Sequence, residues 1–187
     1  MPFDHAVART PRCEAHTPRR SPVSITGEGN PRDEAEAYDL TRMPARILHA
    51  EDAFWRPSNQ MGVLNSDLGK QLEATTMAAR FWRLNPGQAS TKHRHTTQTE
   101  LYVVLEGTGR MRIGDDAQEP LTLAPFSSVI VDPPDVRQVF NDTDHDALWL
   151  VVGTPPELAN TLEMTAEQLA QLYPDGPQAL PPELAGD

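Results

Sequence analysis

The stretch from Gly87 to Gly107, GQASTKHRHTTQTELYVVLEG, decides the fold because it holds the densest cluster of candidate metal ligands in the chain. His93 and His95 are two residues apart, so an extended backbone points both imidazoles toward one side. A short polar turn then leads to Glu100, which opens the apolar run LYVVLEG. We therefore expect two imidazole nitrogens and one carboxylate oxygen to converge on one point.

This set of side chains suits a divalent transition metal. Neutral imidazole and carboxylate bind iron, manganese, nickel and zinc, and two histidines with one carboxylate form the facial arrangement of non-haem Fe(II) sites. A lone His-x-His pair is more often a pair of polar residues at a solvent-facing strand end, but the spacing to Glu100 and to the flanking glycines favours a site. We predict that Fe, Mn, Ni or Zn binds to His93, His95 and Glu100.

The same stretch resembles the first motif of the cupins. Gly87, His93, His95, Glu100 and Gly107 match the positions of that motif without a gap. A chance match at all of these positions is on the order of 10⁻⁵ for a chain of this length. The resemblance covers roughly residues 75–155. It implies an all-β fold, a double-stranded β-helix or jelly-roll barrel, and a homodimer.

The second cupin motif departs from the family pattern at one position. The chain reads DPPDVRQVFN from Asp132 to Asn141; the proline-rich turn and Asn141 match, and Arg137 stands where the family has a ligand histidine. A guanidinium has no acceptor and keeps its proton, so Arg137 cannot bind a metal. Two alternatives stay open. Either a metal remains and Arg137 contacts an anionic substrate, or Arg137 pairs with Glu100 and replaces the metal.

The cavity that the resemblance implies has further candidate residues. Tyr102 shares the face of Glu100, two residues along the strand, and is with Arg137 a candidate for substrate binding. Phe81 and Trp149 are candidates for the lining. Cupins include oxygenases, isomerases and non-catalytic binders, so the fold alone does not fix a reaction. We expect a small anionic molecule bound at the metal by an oxygenase or isomerase; the alternative is a non-catalytic, metal-poor binding or sensing module.

Composition limits the possible partners. At 187 residues the chain has the length of one domain, and its net charge of −11 argues against nucleic acid and against an anionic membrane as partners. No apolar run is long enough for a membrane span, the N-terminus lacks the apolar core of a signal peptide, and Cys13 has no second cysteine to pair with. We expect a cytoplasmic protein with a small-molecule partner.

The rest of the sequence divides into three predicted parts. Residues 1–40 are rich in Pro, Arg and Ser without periodicity, which predicts a disordered tail. Residues 41–160 indicate the barrel with an N-terminal extension, since short strands alternate there with turn residues. Residues 161–187 predict a short helix capped by Thr165, followed by a loose tail.

Individual strands are predicted from apolar runs that end at turn residues. The predicted strands of the barrel are 77–84, 101–105, 110–113, 120–123, 129–131, 136–140 and 147–152. In the extension, Arg46 to His49 is predicted as a short strand. Residues 56–70 contain proline, glycine and asparagine around a short apolar piece, which predicts a long loop near the barrel mouth.

Overall fold

The computed structural model describes residues 45–114, 118–157 and 161–186. The tail predicted for residues 1–40 lies outside the described residues. The strands are β1 (Arg56–Pro57), β2 (Leu64–Asp67), β3 (Ala78–Leu84), β4 (Thr99–Glu106), β5 (Gly109–Ile113), β6 (Leu121–Leu123), β7 (Ser128–Val131), β8 (Arg137–Phe140) and β9 (Ala147–Thr154). The helices are α1 (Leu68–Gln71) and α2 (Ala166–Leu172), and a 3₁₀ turn covers Ala50–Asp52. None of the helices in these ranges is long and apolar enough to cross a membrane.

The strands form two antiparallel sheets. One has six strands in the order β1-β2-β3-β9-β4-β7, and the other has three in the order β6-β5-β8. Trp149 and Val104 of the larger sheet belong to the same buried cluster as Met111 and Val139 of the smaller one. Apolar side chains from both inner faces thus fill one core, and the predicted all-β barrel is confirmed. The ends of β3 to β9 differ from the predicted strands by no more than two residues.

The extension before the barrel differs from its prediction. Arg46 to His49 is not a strand, and residues 56–70 contain β1, β2 and α1 rather than a loop. Strand β2 pairs along its length with β3, from Leu64 opposite Arg83 to Asp67 opposite Arg80. The polar residues of β2 have low intrinsic strand propensity, so the pairing depends on β3, which a local pattern does not reveal.

The C-terminal segment also differs in part. Helix α2 begins at its predicted cap, where the Thr165 side chain accepts from the Gln168 backbone N–H and the Gln168 side-chain oxygen accepts from the Thr165 backbone N–H. Residues 174–186, predicted to form a loose tail, contact the smaller sheet. Gln138 Nε2 donates to the Ala179 carbonyl at 2.7 Å, for example. These contacts place the chain after α2 beside the segment that carries the histidines.

Candidate metal centre

The histidine-bearing segment is held in place by strand β8. His93 N–H donates to the Arg137 carbonyl at 3.1 Å, and Arg137 N–H donates to the His93 carbonyl at 2.8 Å. The two residues therefore form an isolated antiparallel bridge, and they stand directly opposite each other. Because alternate residues of an extended chain share a side, His95 points the same way as His93, toward Glu100 of β4.

The structure brings His93, His95 and Glu100 together, as their spacing leads one to expect. The Nε2 atom of His93 lies 3.5 Å from Glu100 Oε2, and that of His95 lies 3.3 Å from the same oxygen. All three side chains are buried, and their ligand atoms lie within 4.8 Å of one another. We call this group the metal cluster, because its geometry could hold a divalent ion.

The orientation of the two imidazoles also fits a metal. His93 Nδ1 lies 2.9 Å from the Thr91 carbonyl oxygen, which can only accept, so Nδ1–H donates there and Nε2 is the ring nitrogen that faces Glu100. Neither ring nitrogen of His95 has a hydrogen-bond partner among the described residues, although its Nδ1 lies 3.7 Å from Glu157 Oε1. A buried polar atom without a partner is unfavourable. A divalent ion at Nε2 of His95 would supply one.

Arg137 and Tyr102 hold Glu100 from outside the cavity. Arg137 Nη2 and Nε lie 3.2 and 3.3 Å from Glu100 Oε2, and its Nη1 donates to the Asp135 carbonyl at 2.7 Å. The Tyr102 hydroxyl donates to the same Glu100 oxygen at 2.5 Å. Both side chains are fully buried, and neither is part of the cavity lining. The structure thus places both predicted substrate-binding residues against the carboxylate.

The protonation states follow from these contacts. Burial raises the pKa of Glu100, but the adjacent imidazoles of His93 and His95, whose Nε2 atoms lie 3.5 and 3.3 Å from its Oε2, outweigh burial, and the pKa lies well below its ordinary value. Burial and then the Glu100 charge raise the pKa of Tyr102 well above its ordinary value, although Arg137 opposes them. At neutral pH the cluster therefore contains a carboxylate and, behind it, a guanidinium and a neutral phenol.

The metal cluster opens into a cavity of about 510 Å³, a size that accommodates a small molecule. Its wall also comes from strands β1 to β3, helix α1 and the C-terminal segment that includes Tyr173. Two candidates for the lining do not reach it. Phe81 stacks on Trp55 on the outer face, with ring centroids 6.1 Å apart, and Trp149 is completely buried in the core. Trp82 lines the cavity instead, because neighbouring strand residues face opposite sides.

Glu157 is a residue of the site that sequence reasoning missed. Its carboxylate accepts from the backbone N–H groups of Thr96, Thr97 and Gln98 at 3.0, 2.8 and 3.2 Å, which fixes the turn after His95. Burial raises the pKa of Glu157, but the hydrogen bonds from Thr97 and Thr96 lower it by more than burial raises it. The pKa of Glu157 therefore lies below its ordinary value. No spacing signal marks this residue, since it is distant in sequence from the turn.

Arg80 is a second residue that the sequence analysis missed. It lines the cavity, and its Nε lies 3.4 Å from Asp67 Oδ2. Strand alternation could have found it, because Arg80 is two residues before Trp82 and shares its face. The apolar pattern of residues 77–84 predicts a strand but does not mark Arg80 as a cavity residue.

Comparison with known proteins finds a family match for the central part of the chain. Residues 80–153 match the family described as Cupin domain. This span runs from the third residue of β3 almost to the end of β9, and it contains the whole metal cluster. None of the curated proteins compared with the chain matches it.

Several solved structures are similar to the chain. A sugar phosphate isomerase from a cupin superfamily of Silicibacter pomeroyi is 24% identical with a TM-score of 0.51, over 59% of this chain and 76% of that one. A protein with a double-stranded β-helix domain from Klebsiella pneumoniae is 22% identical with a TM-score of 0.50, over 62% and 95%. A predicted oxalate decarboxylase from Thermotoga maritima is 15% identical with a TM-score of 0.51, over 59% and 99%. These similarities show the fold.

Proposed function

We propose, on the premise of the cupin-domain match over residues 80–153, that the chain binds a small organic anion at a divalent metal held by His93, His95 and Glu100, and acts on it as an oxygenase or isomerase. The observation that carries this proposal is the convergence of both Nε2 atoms on one buried carboxylate at the wall of a cavity. Two similar structures are named for sugar phosphate and for oxalate, but their likeness concerns the fold.

Each residue of the centre has a distinct part in this proposal. His93, His95 and Glu100 would hold Fe, Mn, Ni or Zn, and the bound ion would supply Lewis acidity toward an oxygen of the substrate. Arg137 and Tyr102 would orient the carboxylate, since both donate to Glu100 Oε2. Because Arg137 balances the charge of Glu100, an ion in this site keeps more of its positive charge for an anionic ligand.

The predicted contact of Arg137 and Tyr102 with substrate stays a prediction. Arg137 Nε donates to Glu100 and its Nη1 to the Asp135 carbonyl, while Nη2 forms an ion pair with Glu100 at 3.2 Å. A substrate carboxylate would have to compete with these partners. We therefore assign both side chains, within this proposal, to holding Glu100.

The alternative function is a non-catalytic, metal-poor module that binds or senses a small ligand. The contact of 3.2 Å between Arg137 Nη2 and Glu100 Oε2 favours it, because a closed internal salt bridge can stand in for a cation beside this carboxylate. His95 favours the metal instead, since its two buried nitrogens lack hydrogen-bond partners among the described residues.

Elemental analysis of untagged protein purified without chelators separates these functions. We expect near-stoichiometric metal in the parent and almost none in His93→Ala, because two remaining ligands hold a divalent ion weakly. His49→Ala, which removes an exposed imidazole remote from the cluster, is the matched control and should keep its metal. A parent without metal, together with an Arg137→His variant that gains it, would contradict the enzyme and support the metal-poor module.

We also propose that two copies associate through the outer face of the six-stranded sheet. Ile130 of edge strand β7 is 66% exposed and stands opposite Leu101 on that face, so an apolar surface is available. Light scattering after size exclusion should give a dimer for the parent and a monomer for Ile130→Glu. A monomeric parent would exclude this arrangement. The cytoplasmic location expected from the sequence stays a prediction.

A further inference from the structure

Strands β1 and β2 lie outside the residues that match the cupin domain, and they extend the inner face of the larger sheet. Arg56 stands opposite Asn65, and Asn65 stands opposite Trp82. In the next row, Asp67 stands opposite Arg80. Directly opposed residues in antiparallel strands share a face, and Trp82 lies on the inner one. The extension therefore carries polar and charged side chains into the same cavity as the metal cluster.

Three cations from this region line the cavity: Arg56, Lys70 and Arg80. We call them the cationic wall. Asp67 balances one of them, since its Oδ2 lies 3.4 Å from Arg80 Nε while its Oδ1 accepts from the Lys70 backbone N–H at 3.0 Å. Neither the Lys70 ammonium nor the Arg56 guanidinium forms an ion pair among the described residues. The wall thus has a surplus of positive charge.

The remaining carboxylates of the lining do not cancel that surplus. Glu100 is paired with Arg137 at 3.2 Å. Glu157 accepts from three backbone N–H groups of the turn after His95. Both carboxylates already have compensating partners, so they contribute little repulsion to an anion at the opposite wall.

Trp82 adds an unused donor to the same region. Its indole N–H is buried and has no hydrogen-bond partner among the described residues, and the ring lines the cavity. Indole and guanidinium donate hydrogen bonds but accept none. Arg80, on the same face of β3, likewise presents only donors. A ligand group that fits beside these two side chains must therefore be an acceptor, and the surplus charge favours an anion.

We propose that the cationic wall binds the oxyanion group, phosphate or carboxylate, of a small organic molecule whose other end faces the metal cluster. This inference rests on the proposed function and names its ligand class. Strand β9 separates β3 from β4, so the backbones that carry Arg80 of the wall and Glu100 of the cluster are about 10 Å apart. This spacing, with a cavity of about 510 Å³, suits a ligand of a few carbon atoms.

Calorimetric titration of the full chain after metal removal tests the wall directly. The probes are inorganic phosphate, malonate and the uncharged malonamide. We expect both anions to bind the parent and malonamide not to bind. Arg80→Gln should weaken anion binding about tenfold or more, because a charged hydrogen-bond donor is lost. The matched control is Arg83→Gln on the same strand, whose guanidinium lies 3.6 Å from Asp146 on the outer face; it should bind like the parent.

A second variant tests the wall even if Arg80→Gln does not fold. Lys70→Gln combined with Arg56→Gln changes only exposed side chains and should weaken anion binding several-fold. Tighter binding of phosphate or of malonate identifies the oxyanion, and either preference supports the wall. Anion affinity that is unchanged in both variants, or absent from the parent, overturns it.

The metal content of the same proteins, measured as purified and before metal removal, distinguishes failure of the wall from failure of the proposed function. His93→Ala should lose its metal and still bind phosphate, because its imidazole lies in the cluster and not in the wall. If His93→Ala loses phosphate binding while it remains folded, and Arg80→Gln keeps it, the anion binds at the cluster and the wall is wrong. If the parent binds phosphate but holds no metal, the wall stands and the metal-dependent function fails.

Discussion

The two parts of the molecule that meet at the cavity are built differently. Residues 80–153, which match the cupin domain, supply the metal cluster and its supports, and His93, Glu100 and Arg137 are each at most 8% exposed. The flanking segments supply most of the other wall, and Arg56 and Lys70 there are exposed. Core packing therefore constrains the metal cluster, whereas Arg56 and Lys70 of the proposed anion site can change without disturbing that packing.

Among the substitutions that test this difference between core and flanking segments, Arg137→Met should change the stability most. Removing one partner of a buried pair leaves the Glu100 charge poorly compensated, and we expect a loss of about 3–5 kcal/mol in the free energy of unfolding. Denaturation in urea with a chelator present measures it. Added Zn²⁺ should recover part of the loss, because a cation then sits beside the carboxylate.

Arg110→Met is the matched control for this variant. Its guanidinium contacts Asp142 at 2.8 Å near the surface, so its loss should be about 1 kcal/mol or less. Equal losses in the free energy of unfolding for the two variants would mean that the histidines alone compensate the charge of Glu100. The packed core would then constrain the cluster less than we infer.

Two glycine substitutions compare the packing of the core with that of the flanking segment before it. A Cβ at Gly109 would lie 2.4 Å from Val104 Cγ2 and 2.8 Å from the Trp149 ring, so Gly109→Ala should lose about 1–3 kcal/mol of stability. Gly62 in the flank has a φ of +66° and no atom within 4 Å of a built Cβ. Gly62→Ala should lose only about 1 kcal/mol, from the left-handed backbone. Urea midpoints compare them, and equal losses would show that the core adapts to the added methyl.

Glu157→Gln should change the stability least. It weakens the hydrogen bonds between Glu157, in the C-terminal flanking segment, and the turn after His95 in the core. A neutral oxygen accepts more weakly from the turn amides, so we expect a loss of about 1 kcal/mol at pH 7. Because the pKa of Glu157 is lowered by folding, its contribution is present above the ordinary pKa and falls as the pH drops through the folded pKa. The gap to the parent should therefore close in acid.

Thermal unfolding at neutral and acidic pH measures this gap. Glu163→Gln, an exposed glutamate of the same C-terminal region, is the control and should match the parent at both pH values. A gap of unchanged size in acid would show that the charge of Glu157 does not stabilise the turn.

The sequence predicted the parts of the site that depend on local geometry. His93, His95 and Glu100 belong to one continuous stretch, so strand alternation and one turn were sufficient to bring them together. The same alternation placed Tyr102 beside Glu100, and their hydrogen bond of 2.5 Å agrees with it. The strands of the barrel were also predictable, because each is an apolar run that ends at turn residues.

The parts that were not predicted depend on contacts between distant segments. Strand β2 is polar and forms because β3 pairs with it. Glu157 reaches the turn after His95 only through the path that the chain takes after β9. For Arg137, the sequence left two roles open, and only the packed structure shows that its guanidinium lies against Glu100.

The bridge between His93 and Arg137 has an evolutionary consequence. Because their backbones exchange both hydrogen bonds, the residue at position 137 starts beside the cluster whatever its side chain is. The arginine codon CGC becomes the histidine codon CAC through a single transition. Centres with and without a fourth imidazole are therefore neighbours in mutational space, and a lineage that carries this barrel can move between them without changing its fold.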